Sequence, residues 1–126
     1  MKLILFIAAG GALGAVLRHA VGVQLLRWLG SGFPFSTLAV NIIGSFTLGA
    51  LVEIMALRWQ VGIETRAFLM VGLLGAFTTF SAFSLDVVVL YERGAFLSMA
   101  FYLVASITLS VFGLVAGLQV FRAILT

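Results

Sequence analysis

Apolar residues fill four long stretches of this chain, and polar residues gather between them. The stretches cover 3–23, 37–57, 66–91 and 95–122, each near the roughly 20 residues that a helix needs to cross a bilayer. The connections are Leu29–Pro34, which is rich in glycine and serine, and the short polar segment Arg58–Thr65. Pro34 suits a helix entry, with Ser36 or Thr37 as the cap. The pattern predicts an all-α membrane protein with four transmembrane helices.

The composition agrees with this fold class and narrows the function. Of 126 residues, 63% are hydrophobic and 9% charged, whereas soluble domains carry about 25% charged residues. Four spans use almost the whole chain, so we expect residues 1–126 to form a single transmembrane domain. The net charge of +3 comes from scattered single cations, which does not indicate nucleic-acid binding. The chain has no cysteine, which excludes disulfides and thiolate metal sites.

The third span contains a segment unlike the rest. Residues 72–84 read GLLGAFTTFSAFS, so glycines and hydroxyls lie at membrane depth. Glycine weakens a helix through backbone entropy, and Ser and Thr compete for backbone hydrogen bonds. Inside a bilayer, irregular backbone survives only where it is buried in protein or lines a wet cavity. We therefore predict that the third helix is broken near its middle, around Gly75–Thr79, at a site for ions.

Several polar or aromatic residues admit two interpretations. A buried amide must be hydrogen-bonded, so Asn41 either joins two helices or faces a pore. Phe80 and Phe83 lie on one helix face, as core packing or as the wall of a path. Arg18 either snorkels to the interface or attracts anions into a watery vestibule. Asp86 is compatible with a cap, a pair or a water-facing position, and the residues leave these alternatives open.

The polar groups permit ion binding better than catalysis. No catalytic set, metal cluster or phosphate loop is visible, so we do not expect an enzyme. Neutral donors, the electropositive edges of phenyl rings and a nearby arginine favour a small anion. Carbonyl oxygens freed at the break suit a hard alkali cation. One chain has too few of them, and a two-fold dimer would double the number. The neutral groups at depth are Asn41, Thr78, Thr79, Ser81 and Ser110.

Three stretches resemble the signature motifs of the Fluc (CrcB) fluoride channels: Gly11–Arg18 (GALGAVLR), Thr37–Gly44 (TLAVNIIG) and Gly72–Ser84. Length, number of spans and motif order agree, so the resemblance covers nearly the whole chain. It implies an antiparallel, dual-topology homodimer in the inner (plasma) membrane, with fluoride-selective pores at the interface. The implied role is passive fluoride efflux that protects the cell from fluoride toxicity.

The resemblance also implies roles for single residues of the pore. Phe80 and Phe83 match the pore phenylalanines, and Asn41 matches the pore asparagine. Ser110 matches a serine of a polar track on the last helix, and Ser81 lies close to that path. These are the residues expected to meet fluoride.

The remaining implied roles concern a cation and the pore entrance. Gly75 and Thr78 match the positions whose backbone carbonyls hold a central structural sodium ion. Arg18 matches the arginine of the aqueous vestibule. Ala82 stands where the family usually has threonine, which removes one hydroxyl near the pore.

Dual insertion is also compatible with the distribution of charge. With four spans, four cations fall on one side of the membrane and three on the other, a small bias for the positive-inside rule. The first group is Lys2, Arg58, Arg66 and Arg122, and the second is Arg18, Arg27 and Arg93.

Two other functions are weighed against the channel. A small multidrug-type, proton-coupled antiporter is also built from about four helices, but it needs a protonatable acid deep in the membrane. Glu53, beside Arg58, is interpreted as an interfacial charge, and Asp86 is not central either. A non-transporting scaffold would leave the broken polar segment without a purpose.

Overall fold

Four long helices make up the computed structural model, which describes residues 1–126. They are α1 (Lys2–Leu29), α2 (Phe35–Leu57), α3 (Ile63–Glu92) and α4 (Phe96–Leu125), all long and apolar enough to cross a membrane. Residues 78 and 79 interrupt α3, which separates α3a (63–77) from α3b (Phe80–Glu92). The predicted four spans and the break in the third are confirmed.

The connection between α1 and α2 differs in detail from the sequence expectation. α1 continues to Leu29 and stops at Gly30, whose φ of 77° is a conformation that glycine adopts without steric cost. The predicted cap at Ser36 or Thr37 is wrong, because α2 already begins at Phe35, directly after Pro34, and no side chain caps it. Proline pre-sets the backbone for a helix start, so the turn ends earlier than the hydroxyls.

Glycines bring the helices together in two pairs. Gly10 and Gly14 of α1 lie against the backbone of α3a, where a Cβ atom at either position would overlap a carbonyl oxygen. In the same way, Gly49 of α2 lies against the backbone of α4, and Gly117 of α4 lies against the backbone of α2. Small residues of this kind let membrane helices approach closely. The first pair thus packs α1 against α3a, and the second packs α2 against α4.

A wide, π-helical turn occupies most of α3a. It runs over Ala67–Leu74 and returns to α-helical geometry at Gly75–Phe77, just before the interruption. π-turns are rare and occur frequently at functional sites. The break is thus preceded by a second departure from regular helix, which the sequence did not predict.

An ion pair joins α2 to α4 near the end opposite the α1–α2 connection. Glu53 is only 6% exposed, and both its oxygens accept hydrogen bonds from Arg122 at 3.0 Å. Arg58 instead donates to the carbonyl of Leu125. Glu53 thus pairs with Arg122 of α4 and not with Arg58, its neighbour at the end of α2, and its expected position at the membrane interface stays a prediction.

Candidate functional site

The interruption in α3 is held by one side chain of α2. Thr78 and Thr79 are extended, so Thr79 cannot take part in helical hydrogen bonds. Its N–H donates to Asn41 Oδ1 at 2.8 Å, and its carbonyl accepts from Asn41 Nδ2 at 3.1 Å. The Thr79 hydroxyl accepts from the Ala82 N–H at 3.2 Å, which caps α3b. A side-chain amide thus replaces the missing backbone partner.

This pairing shows that Asn41 joins two helices, and it leaves Asn41 able to face a pore as well. An amide side chain offers two N–H donors and two oxygen lone pairs. Thr79 uses one of each, so one donor and one acceptor stay free. Asn41 also lies on the wall of a cavity, where the free donor can meet a ligand.

A cavity of about 430 Å³ adjoins the break, between α2, α3 and α4. It is lined partly by apolar side chains and partly by amide, hydroxyl and backbone groups. The wall brings together residues expected at the pore and residues expected at the sodium ion. Six of the predicted site residues line it: Asn41, Gly75, Thr78, Phe80, Phe83 and Ser110.

The two phenylalanines differ sharply in their surroundings. Their ring centroids are 5.5 Å apart, so they do form one aromatic pair. Phe80 is 77% exposed, whereas Phe83 is 8% exposed and packs against Tyr102 at 5.2 Å. Phe83 therefore belongs to the core of the protomer as well as to the cavity wall. Phe80 presents its ring outwards.

Two predicted residues lie away from the cavity wall. Ser81 is exposed, with its hydroxyl 3.4 Å from that of Thr79. Arg18 is half-buried on α1, one turn after Gly14, whose contacts lie on α3a. Its guanidinium makes neither an ion pair nor a hydrogen bond in the chain, so its charge is free to act on an ion. Their predicted roles stay predictions.

The polar wall contains one residue whose role sequence reasoning did not assign. Ser106 is buried, and its Oγ has no hydrogen-bond partner although it lines the cavity. Its position four residues before Ser110 places both on one face of α4, which was the available signal. A buried unpaired hydroxyl costs free energy, so the Ser106 hydroxyl is available to a polar ligand in the cavity.

Asp86 finds its partner on α4. The hydroxyl of Tyr102 donates to Asp86 Oδ2 at 2.9 Å, so a pair, one of the three interpretations of this acid, is present in the structure. Asp86 also lines a second cavity of about 350 Å³ at the α1–α2 connection, together with Arg93. Arg93 itself donates to the Gly32 carbonyl at 3.1 Å. The carboxylate is thus fixed near one end of the helices.

The end of α3a offers oxygen atoms that fit a hard cation. The Thr78 carbonyl accepts no hydrogen bond from the chain, and the last carbonyls of a helix generally lack partners within it. Gly75 is exposed, so its backbone is open to a ligand from outside the protomer. Hard cations take oxygen ligands, and the donor set of Gly75 and Thr78 is of that kind.

Comparison with known proteins identifies the family. Residues 5–118 match the family described as CrcB-like protein, Camphor Resistance (CrcB). The chain is 57% identical to the "Fluoride-specific ion channel FluC" of Rhodospirillum centenum, over 97% of both chains. It is 53% identical to the protein of that name from Agrobacterium fabrum, over 94% of this chain and 95% of the relative. For Rhizobium meliloti the identity is 48% over 98% of both. The chain belongs to the CrcB family.

Proposed function

We propose that this protein is a fluoride-selective channel, and not an enzyme, through which fluoride leaves the cell passively and so does not reach toxic levels. Its relatives bear the name of fluoride-specific channels, which supports the choice of ion. The single observation that carries the proposal is the cavity at the break, whose wall combines a free amide donor, unpaired hydroxyls and aromatic rings. Such a wall can replace the hydration of a small anion without binding it as firmly as a fixed cation would.

The pore residues follow from this wall. We assign Asn41 and Ser110 as hydrogen-bond donors and the rings of Phe80 and Phe83 as weakly electropositive edges. Ser81 continues the path from the start of α3b, where its hydroxyl is exposed. All of the assigned groups are neutral.

The unpaired Arg18 is the proposed vestibule residue. A cation at the entrance raises the local concentration of anions and their rate of entry. Because it lies on α1 and away from the cavity wall, it can attract fluoride without trapping it inside.

The functional unit is proposed to be an antiparallel homodimer in the inner membrane. The outward ring of Phe80 and the exposed Gly75 suggest that a second copy completes the site. The carbonyls of Gly75 and Thr78 from both copies would then hold a structural sodium ion between them. That ion would neutralise the partial charges of four inward-facing oxygens and fix the two broken helices against each other.

No observation favours the multidrug-type antiporter. Such a carrier needs an acid that is free to bind and release protons within the membrane. Both oxygens of Glu53 accept hydrogen bonds from Arg122, one from Nε and one from Nη2, and Asp86 accepts one from Tyr102. Neither carboxylate lines the cavity at the break.

The channel is tested by fluoride efflux from liposomes that contain the purified protein. A potassium fluoride gradient, valinomycin and a fluoride electrode report release, and potassium chloride vesicles serve as the control. We expect rapid fluoride release and no chloride release. Release of neither ion by folded protein would refute the function, and equal release of both would refute its selectivity.

A further inference from the structure

The hydroxyls of Ser45 and Thr47, both near the middle of α2, differ in their hydrogen bonding. Thr47 donates to the Ile43 carbonyl of its own helix at 2.8 Å, the usual way in which a membrane helix satisfies a hydroxyl. Ser45 makes no such bond to the Asn41 carbonyl, and it lines the cavity at the break, which Thr47 does not. Ser45 thus keeps its donor available on the cavity side.

The helix register places Ser45 beyond the residues already assigned to the path. Gly117 of α4 lies between the carbonyl of Phe46 and the nitrogen of Ala50 on α2, and the two helices run in the same direction. Ser45 is therefore about level with residue 114, four positions after Ser110. At about 1.5 Å per helical residue, this is ~6 Å further along the cavity.

Ser45 is also the last polar group of α2 on this wall. It follows Asn41 by four residues, so both lie on one face, and the wall of α2 continues with Leu48. Met70 of the π-helical turn faces the same cavity. An anion that leaves Asn41 in this direction finds the Ser45 hydroxyl before it meets an apolar surface.

We propose that Ser45 is an anion-contacting residue that extends the line of donors past Asn41 towards the C-terminal end of α2, an inference that rests on the proposed fluoride channel. The hydroxyl donates a hydrogen bond to the passing anion and keeps its own proton, so no covalent step is involved. Ser45 thereby shortens the part of the path in which a dehydrated anion has no hydrogen-bond donor.

The first test is fluoride efflux from liposomes, with a matched pair of variants. Ser45→Ala removes the free hydroxyl, and we expect efflux to fall about tenfold, since a hydrogen bond to a charged group is worth at least that factor. Thr47→Val removes a hydroxyl that is bonded to its own helix, and efflux should stay as in the unmodified protein. Unchanged efflux in Ser45→Ala would overturn the inference while the channel stands. Absence of selective efflux from the unmodified protein would overturn both.

The second test measures water access and does not depend on fluoride. Because the chain has no cysteine, Ser45→Cys and Thr47→Cys each introduce a single thiol. A charged, water-soluble methanethiosulfonate should modify Ser45→Cys in membrane vesicles and leave Thr47→Cys intact. Failure to modify Ser45→Cys, with a folded protein, would exclude Ser45 from the aqueous path.

Discussion

Substitutions at Asn41 separate its structural role from its role in conduction. Asn41→Leu removes both hydrogen bonds to Thr79 and leaves the Thr79 N–H and carbonyl unpaired. An unsatisfied buried polar group costs about 1–3 kcal/mol. Both groups are half-buried beside a cavity, where water can replace part of the loss. We therefore take the low end for each, and expect the free energy of unfolding to fall by about 2 kcal/mol.

Asn41→Asp should lower stability less than Asn41→Leu does, and should lower fluoride flux more. The carboxylate still accepts from the Thr79 N–H, so only the donor to the Thr79 carbonyl is lost, and stability should fall by about 1 kcal/mol. The new charge, however, opposes an anion about 4 Å away by ~4 kcal/mol at an effective dielectric constant of ~20. That corresponds to a roughly thousandfold loss of flux, whereas loss of one donor in Asn41→Leu costs about tenfold.

The assay is a pair of measurements on the same three proteins. Unfolding in detergent should give the order unmodified, Asn41→Asp, Asn41→Leu, and fluoride efflux should give the order unmodified, Asn41→Leu, Asn41→Asp. The diagnostic result is that Asn41→Leu is the less stable of the two variants and yet conducts more fluoride. If efflux through Asn41→Asp equals or exceeds that through Asn41→Leu, Asn41 is not on the ion path. If both variants unfold like the unmodified protein, the pairing with Thr79 does not hold the break.

Three further predictions concern the aromatic pair, the ion pair and a glycine contact. Phe80→Ile should reduce fluoride efflux at least tenfold without loss of protomer stability, because its ring is exposed in the single chain, whereas Phe83→Ile should lower both; normal efflux in both variants would exclude the rings from the pore. Arg122→Leu leaves the buried Glu53 unpaired and should lower the melting temperature, while the double variant with Glu53→Leu should recover most of it; a double variant no more stable than the single one would contradict this. Gly49→Val places a branched side chain where even a Cβ overlaps the backbone of α4, and we expect a loss of about 1–3 kcal/mol in denaturant unfolding.

Local features of the sequence were sufficient for the spans and for the break. Hydropathy identifies helices that cross a bilayer, and Gly75 followed within four residues by Thr78 and Thr79 marks the point where a regular helix is least stable. The resemblance pointed to six of the residues that line the cavity, and Ser45 and Ser106 were recognised only from the structure. Both inferences depend on residues that lie near each other in the chain or in matched motifs.

Contacts between distant residues could not be predicted in the same way. Asn41 pairs with Thr79 across 38 positions, and Glu53 pairs with Arg122 across 69. Which partners meet depends on the rotation of each helix about its axis, and that rotation is set by the glycine contacts. The π-helical turn leaves no signal in residue type either, because its apolar residues suit an α-helix equally well.

The pairing of Asn41 with the break also has a consequence for biogenesis. α3b has 13 residues, ~20 Å of helix, which is too short to cross the ~30 Å hydrocarbon core alone, so 63–92 must enter the bilayer as one segment. Synthesis proceeds from the N-terminus, and Asn41 is therefore already in the membrane when Thr79 arrives. A chain with these two elements in the reverse order would expose the unpaired backbone of the break to lipid until its partner was made. The order of the helices in the gene thus protects the break during insertion.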